Sequence, residues 1–237
     1  MKVQIIAHTP EPEKVIAAAA KLCYSSAADV DTLLDGLTPE KNEKFINHLM
    51  SLGHESPLEH VTFTFAVEGV SRVLTHELVR HRLASYSQRS MRFCAEGECD
   101  FYYPKNLTDE QAEVYNNAIE VAKDSYNKLL ELGLSKQEAR YVLPNATHTR
   151  IIFTMNIRSL INFCSLRACR RAQPEIQELT REMIKQLKEI SPVLFKKLGP
   201  SCVYKGYCPE GDMSCGAAPT MEMLLMDHER VKNNAIL

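Results

Sequence analysis

The run Val61 to Arg92, VTFTFAVEGVSRVLTHELVRHRLASYSQRSMR, decides how this chain is read. Val61, Phe63, Phe65 and Val67 fall on one face and Thr62, Thr64, Ala66 and Glu68 on the other, the period of a half-buried strand. Ser71 then stands where an N-cap belongs, and Val73, Leu74, Leu78 and Val79 recur at helical spacing. The strand feeds the helix, and the helix feeds a basic segment, Arg80 to Arg92. That segment holds Arg80, Arg82, Arg89 and Arg92 with His81, Ser85, Ser87, Gln88 and Ser90, and no Asp or Glu.

Guanidiniums are planar donor forks that match phosphate and carboxylate. Hydroxyls and an amide can read neutral polar edges. If the helix runs on through Arg82, then Arg80, His81 and Arg82 point in directions about 100° apart and cannot all grip one phosphate. They then serve different ligands, or ligands in different subunits. Beyond Leu83 the polar spacing loses helical order, so Ala84 to Arg92 reads as a loop. Taken alone, Arg-His-Arg at a helix C-terminus is more often a solvated basic patch favoured by the helix dipole. The Ser-x-Ser-Gln-Arg-Ser-x-Arg that follows favours a site for an anionic ligand.

Working outward, Val3, Ile5 and Ile6 predict a short strand, and Thr9-Pro10 a helix start running to Cys23. Cys23 to Asp35 reads as a polar connector. Thr38-Pro39-Glu40 predicts another helix start, with Phe45, Ile46, Leu49 and Met50 as its buried stripe and Gly53 at its C-cap. Cys94 to Pro104, with Gly97 and Phe101-Tyr102-Tyr103, reads as a turn and a short strand whose aromatics belong to the core. Thr108 to Gln111 is a capping box opening a long amphipathic helix that ends at Gly133. Ser135 starts a short helix stopped by Pro144. Thr147 to Asn156 predicts a second strand, with Ile151, Phe153 and Met155 alternating, followed by a helix from Arg158 to about Arg171. This strand-then-helix ending in basic residues echoes Val61 to Arg82 and hints at internal pseudo-repetition. On the second helix Arg158, Asn162 and Ser165 share a face while Arg167 points elsewhere. Pro174-Glu175 opens the last major helix, with Ile176, Leu179, Met183, Leu187 and Ile190 as its core stripe and Pro192 closing it. The tail from about residue 199 carries cysteines, and Met221 to Leu237 reads as a fraying end. The expected fold is α+β, a small mixed or antiparallel sheet packed with long helices, in a single domain spanning 1–237.

Composition narrows the function classes. With 237 residues and 45% hydrophobic content the chain can bury a normal core, and its net charge of −2 gives no bulk attraction to nucleic acid. No apolar run reaches the ~18 residues that span a bilayer, and MKVQIIAHTPEPEK lacks a signal-peptide core, so a cytoplasmic protein without membrane contact is expected. The eight cysteines are then expected to be reduced thiols. Cys164 and Cys169 diverge by about 140° on a helix, poor geometry for chelation. Cys202, Cys208 and Cys215 match no standard finger, so no metal is expected. His54-Glu55-Ser56-Pro57-Leu58-Glu59-His60 lacks HExxH, and Pro57 disrupts the helix that motif needs. His76-Glu77 with His81 misses it by one residue. No GxGxxG and no P-loop is present, so any dinucleotide is gripped by side chains.

Arg80-His81-Arg82, seven residues, then Ser90 resembles the signature of the flavin-dependent thymidylate synthases. The likeness extends from about His54 to Glu175, and the tail beyond also resembles the family's. It includes Ala139-Arg140-x-x-Leu143-Pro144 and the run Asn156-x-Arg158-Ser159-Leu160-x-Asn162-Phe163-x-x-Leu166-Arg167. The resemblance implies reductive methylation of dUMP to dTMP, with 5,10-methylenetetrahydrofolate as carbon donor, FAD as cofactor and NADPH as reductant. It implies FAD contacts from His54, Ser56, Glu59, Arg80, His81, Arg82, Gln88, Asn156, Arg158 and Asn162. It implies dUMP contacts from Glu77, Arg80, Gln88, Arg89, Ser90, Met91, Arg92, Arg140 and Arg167. Arg167 is implied as the catalytic cation, stabilising an N3-deprotonated uracil, and the assembly as a homotetramer with sites at subunit interfaces. Ser90 has no base beside it in sequence and is expected to position dUMP rather than attack it. The activated cysteine of the classical thymidylate synthases has no counterpart within Arg80–Arg92. Arg171 stands where relatives can carry His, and Pro174 replaces a residue that is often bulky. On the residues alone, Arg140 reads as an exposed helical cation paired with an acid. A reading of another class is a non-catalytic nucleotide- or RNA-binding module built on Arg80–Arg92, which the near-neutral net charge disfavours.

Overall fold

The structure, a computed structural model, describes residues 1–23, 25–94, 99–223 and 225. Gly97 and most of the segment expected to fray lie outside the described residues. Along the chain run β1 (Lys2–His8), α1 (Pro12–Leu22), α2 (Val30–Asp35), α3 (Pro39–Ser51), β2 (Thr62–Ser71), α4 (Arg72–Leu78), β3 (Ser85–Gln88), α5 (Asp109–Glu131), α6 (Lys136–Ala139), β4 (His148–Asn156), α7 (Ile157–Arg167), α8 (Pro174–Ile190), α9 (Pro192–Phe195) and α10 (Ser201–Lys205). Short 3-10 turns occupy Ser56–His60, Arg140–Val142 and Gly211–Met213.

The strands form one sheet in the order β1-β2-β4-β3. β3 pairs antiparallel with β4, Ser85 opposite Thr154 and Gln88 opposite Ile151. Between β2 and β4, Phe65 stacks on Phe153, and three residues on along β2 Glu68 pairs with Arg150, three residues back along β4. That register is antiparallel. The expected alternation holds: Val61, Phe63, Phe65, Val67, Ile151, Phe153 and Met155 are all buried.

Contacts divide the chain into two compact units. Met1–Ile6 with Phe65–Thr154 contains most of the sheet together with α4, α5 and α6. Ala7–Thr64 with Met155–Leu237 contains α1 to α3 and α7 to α10, around Ile16, Ile46, Leu160, Phe163, Leu179, Met183 and Phe195. In this second unit Phe63 meets Phe195 edge-on, ring centroids 5.5 Å apart.

Several local expectations change. α1 begins at Pro12 rather than at Thr9-Pro10. A residue before proline is pushed out of the helical region, so Glu11 cannot be helical; it sits at φ 46° and the second proline becomes the first helical residue. The connector after Cys23 contains α2, whose N-cap Asp29 accepts from the Thr32 N–H at 2.8 Å. α4 stops at Leu78 instead of running through Arg82, so the three-way divergence argued from a helix does not apply to Arg80, His81 and Arg82. The expected loop contains β3, a short polar edge strand in which Tyr86 and Gln88 turn inward and Ser85 and Ser87 outward. With one apolar ring in four residues, it left no hydrophobic alternation to read. Of Phe101-Tyr102-Tyr103 only Phe101 is buried, and it makes a single bridge to Thr147. α5 buries little beyond Ile119 and Tyr126 and leaves Val114 and Val121 exposed. α7 ends at Arg167, not near Arg171.

The pseudo-repetition has a structural counterpart. The neighbouring strands β2 and β4 each run straight into a helix, with Ser71 accepting from the Leu74 N–H at 3.0 Å and Asn156 from the Ser159 N–H at 2.8 Å. Thr38, by contrast, caps α3 by position only, with no side-chain bond. Ser71→Ala is expected to cost about 1 kcal/mol of stability, the usual worth of a bonded N-cap, and Thr38→Ala clearly less; urea denaturation of the two variants against the parent checks the difference.

Candidate functional site

In the first unit, Tyr86 shapes the basic segment. Its hydroxyl lies 3.0 Å from the Leu78 carbonyl and 2.6 Å from the His81 carbonyl, and the His81 N–H closes back on Leu78 O at 3.1 Å. The turn after α4 is pinned from β3, which leaves Arg80 and Arg82 exposed and His81 buried. Gln88, on the same strand, donates its amide inward to Thr75 Oγ1 at 3.1 Å and Thr149 Oγ1 at 3.4 Å, both buried hydroxyls. The backbone at Arg89 is held by the Arg72 guanidinium on its carbonyl and by its N–H on Arg150 O. Ser90 Oγ accepts from the Arg92 N–H at 3.2 Å, so the hydroxyl shapes the turn. Met91 is buried.

Arg92 and Arg140 lie far apart in sequence and share one anchor. Arg92 Nε donates to Gln137 Oε1 at 2.7 Å and Arg140 Nε donates to the Gln137 carbonyl at 3.0 Å. Each guanidinium also lies over a ring, Arg92 over Phe93 and Arg140 over Tyr141. Both forks are therefore held by Nε, and among the described residues their terminal nitrogens have no hydrogen-bond partner. The acid partner expected for Arg140 on residues alone is replaced by Gln137. Sequence reading missed Gln137, although its place one turn before Arg140 was a usable signal.

The second unit holds a separate cluster. Arg158, at the start of α7, contacts Glu55 Oε2 through Nε at 3.4 Å and Glu59 Oε1 through Nη1 at 2.5 Å. Both carboxylates, Glu59 foremost, push the guanidinium's pKa further above its ordinary value. Asn162 is exposed one turn along from Arg158, and His54 and Ser56 are exposed, Ser56 as the first residue of the 3-10 turn that carries Glu59. Asn156 Oδ1 is committed to the α7 cap, leaving its NH2 group as the donor for a ligand. Glu55 was not among the expected site residues.

Arg167, the last residue of α7, lines a cavity of ≈ 250 Å³ with Arg171, Cys169, Cys202, Cys208 and Cys215. Arg171 pairs with Glu210 of the tail, which gives this departure from the family pattern a local partner. Among the described residues no group of three His, Cys, Asp or Glu side chains is arranged to hold a metal, and no helix is long and apolar enough to cross a membrane. The expected dUMP residues thus gather in the first unit apart from Arg167, and His54, Ser56, Glu59, Asn156, Arg158 and Asn162 in the second.

The family model described as Thy1, thymidylate synthase complementing protein, matches residues 4–193. The flavin-dependent thymidylate synthase of Clostridium tetani is 47% identical over 244 aligned residues, covering 95% of this chain and 97% of its own. That of Geobacter sulfurreducens is 43% identical over 231, covering 96% and 99%. Among solved structures, the UMP/dUMP methylase PolB from Streptomyces cacaoi, bound with 5-Br dUMP, superposes with a TM-score of 0.70 at 25% identity, covering 82% of this chain and 93% of that one.

The thiols differ sharply in reactivity. All eight cysteines are free; Cys23 and Cys215 are exposed, whereas burial pushes the Cys164 thiol far up. A buried thiol that resists ionisation is inert. Iodoacetamide at mildly alkaline pH is expected to label Cys23 and Cys215 in the native protein and Cys164 only after denaturant, as read by peptide mass spectrometry.

Proposed function

The chain belongs to the flavin-dependent thymidylate synthases, which methylate dUMP reductively to dTMP, and on that premise we propose how its own residues divide the work. The observation that carries the proposal is the common anchoring of Arg92 and Arg140 on Gln137. A nucleotide phosphate needs convergent forks whose geometry is set before it arrives, and two guanidiniums tied by Nε to one residue supply them. Arg80, Arg89 and Glu77 complete the polar surround of dUMP. Gln88, whose amide nitrogen is turned inward, offers the uracil its Oε1. Ser90 and Met91 contribute by holding the turn, Ser90 through the Arg92 N–H.

FAD is held by His54, Ser56, Glu59, Arg80, His81, Arg82, Gln88, Asn156, Arg158 and Asn162. The donor set fits the group: exposed Arg80, Arg82 and Arg158 suit a pyrophosphate, and exposed Ser56 and Asn162 suit neutral polar edges. Once reduced, the flavin supplies the hydride that a thymidylate synthase needs. The chain's part is electrostatic. Arg167, a cation that does not lose its proton, stabilises negative charge on the uracil ring and so makes C5 a better nucleophile. The carbon donor is 5,10-methylenetetrahydrofolate and the reductant is NADPH.

The assembly we propose is a homotetramer with sites at subunit interfaces, in the cytoplasm. Val79, Leu83, Phe93 and Tyr141 stand exposed beside the basic segment, with Leu83 73%, Phe93 75% and Tyr141 82% accessible. Large apolar side chains in that position are the kind that a neighbouring subunit covers. The family membership removes support from the non-catalytic nucleotide- or RNA-binding reading.

Arg140→Ala is expected to raise the KM for dUMP about ten- to a hundredfold, the worth of hydrogen bonds to a charged group, with FAD binding intact. Gln137→Ala moves KM in the same direction by less. Unchanged dUMP KM in both variants would remove the phosphate assignment. Arg167→Ala is expected to abolish dTMP formation while FAD still binds, its visible bands being the check; full turnover in that variant removes Arg167 from the chemistry.

A further inference from the structure

We infer that Tyr204, in the segment beyond the family model's match, is a positioning residue for Arg158 and acts through Glu55. The inference rests on the reading that Arg158 grips FAD. Tyr204 lies on α10, outside the matched residues 4–193. Its hydroxyl donates to Glu55 Oε1 at 3.2 Å, and the other oxygen of the same carboxylate faces Arg158 Nε at 3.4 Å. Glu59 takes Arg158 Nη1. The guanidinium is therefore held along Nε and Nη1, and Nη2, which has no partner among the described residues, is the group offered to an anionic ligand.

The arrangement is better explained as orientation than as stability. Arg158 is 52% exposed and Glu59 46%, and ion pairs that open to solvent add little to folding. An arginine side chain carries substantial rotamer freedom, however, and a ligand that finds the fork already aimed does not have to freeze it. Tyr204 aims the fork indirectly by fixing which way Glu55 points. Burial, with the Glu55 carboxylate as a second cause, holds the phenol above its ordinary pKa, so it stays a donor. α10 is itself tethered to α7, the helix that carries Arg158, because Ser201 Oγ donates to the Ser165 carbonyl at 3.2 Å. Gly206, at φ 81°, closes α10 in a backbone conformation that favours glycine. Tyr204, Glu55 and Arg158 thus share one local frame.

The test is a double-mutant cycle on FAD affinity, read by quenching of flavin fluorescence as the flavin-free protein is titrated. Tyr204→Phe keeps the ring and removes the hydroxyl. It is expected to weaken FAD binding by about three- to tenfold, the worth of one hydrogen bond, and to leave dUMP affinity by calorimetry unchanged. In an Arg158→Ala background the same change is expected to do nothing more, since the relay has no end. If Arg158→Ala alone leaves FAD affinity intact, the reading of Arg158 fails and the inference with it. If Arg158→Ala weakens FAD and Tyr204→Phe does not, the inference alone fails. Equal weakening by Tyr204→Phe in both backgrounds assigns Tyr204 to the fold of the tail and also overturns it.

Discussion

The pairing of β2 with β4 is the constraint on which the rest depends. Phe63, Phe65 and Val67 of β2 and Thr149, Ile151, Phe153 and Met155 of β4 are buried, and Phe65 on Phe153 locks the register of the pair. A slip of one residue would turn every buried ring to solvent. Each strand then passes into a helix with no loop between, and a side-chain cap satisfies one N–H of the new helix. The chain after Ser71 carries Arg80 to Arg92 and the chain after Asn156 carries Arg158 and Arg167, so each capped strand-to-helix passage leads into a set of arginines.

Polar side chains in the candidate site are mostly occupied in positioning one another. Gln88 faces inward to two buried threonines, Ser90 holds a turn, Asn156 caps a helix, and Gln137 anchors two arginines. The cations that stay exposed, Arg80, Arg82, Arg92 and Arg158, are the groups suited to anionic ligands. Such a division matches what a site for phosphate-bearing molecules requires. Donors must be fixed before binding, because a flexible arginine loses its entropy at the expense of affinity.

The tail beyond α9 adds a layer that the core pattern does not foretell. Tyr204 reaches Glu55, Glu210 reaches Arg171, and Cys202, Cys208 and Cys215 line the cavity beside Arg167. These contacts tie the segment to residues that the resemblance places near cofactor or substrate. The described part of the segment is glycine-rich and buries Leu198 and Cys208 beside these polar contacts.

The sequence by itself determined the long elements and the chemistry. β2, β4, α3 and α8 follow from alternation or helical spacing, because burial of one face imposes a period on the residues. The capping box at Thr108 and the cap at Ser71 are local bonds between residues three apart, which is why such ends can be read in one dimension. Arg-His-Arg with Ser90 was legible as well, since the family signature is a spacing. Tertiary structure alone decided where α4 stops, that Ser85–Gln88 is a strand, and which partners Gln137, Glu55 and Tyr204 take. Tyr86 ends the helix by reaching back from the next strand, β3 exists only because β4 offers it hydrogen-bonding groups, and Tyr204 meets Glu55 across 149 positions of sequence. Those are long-range pairings of polar groups, which leave no period in the chain and become visible only when the backbone has been folded.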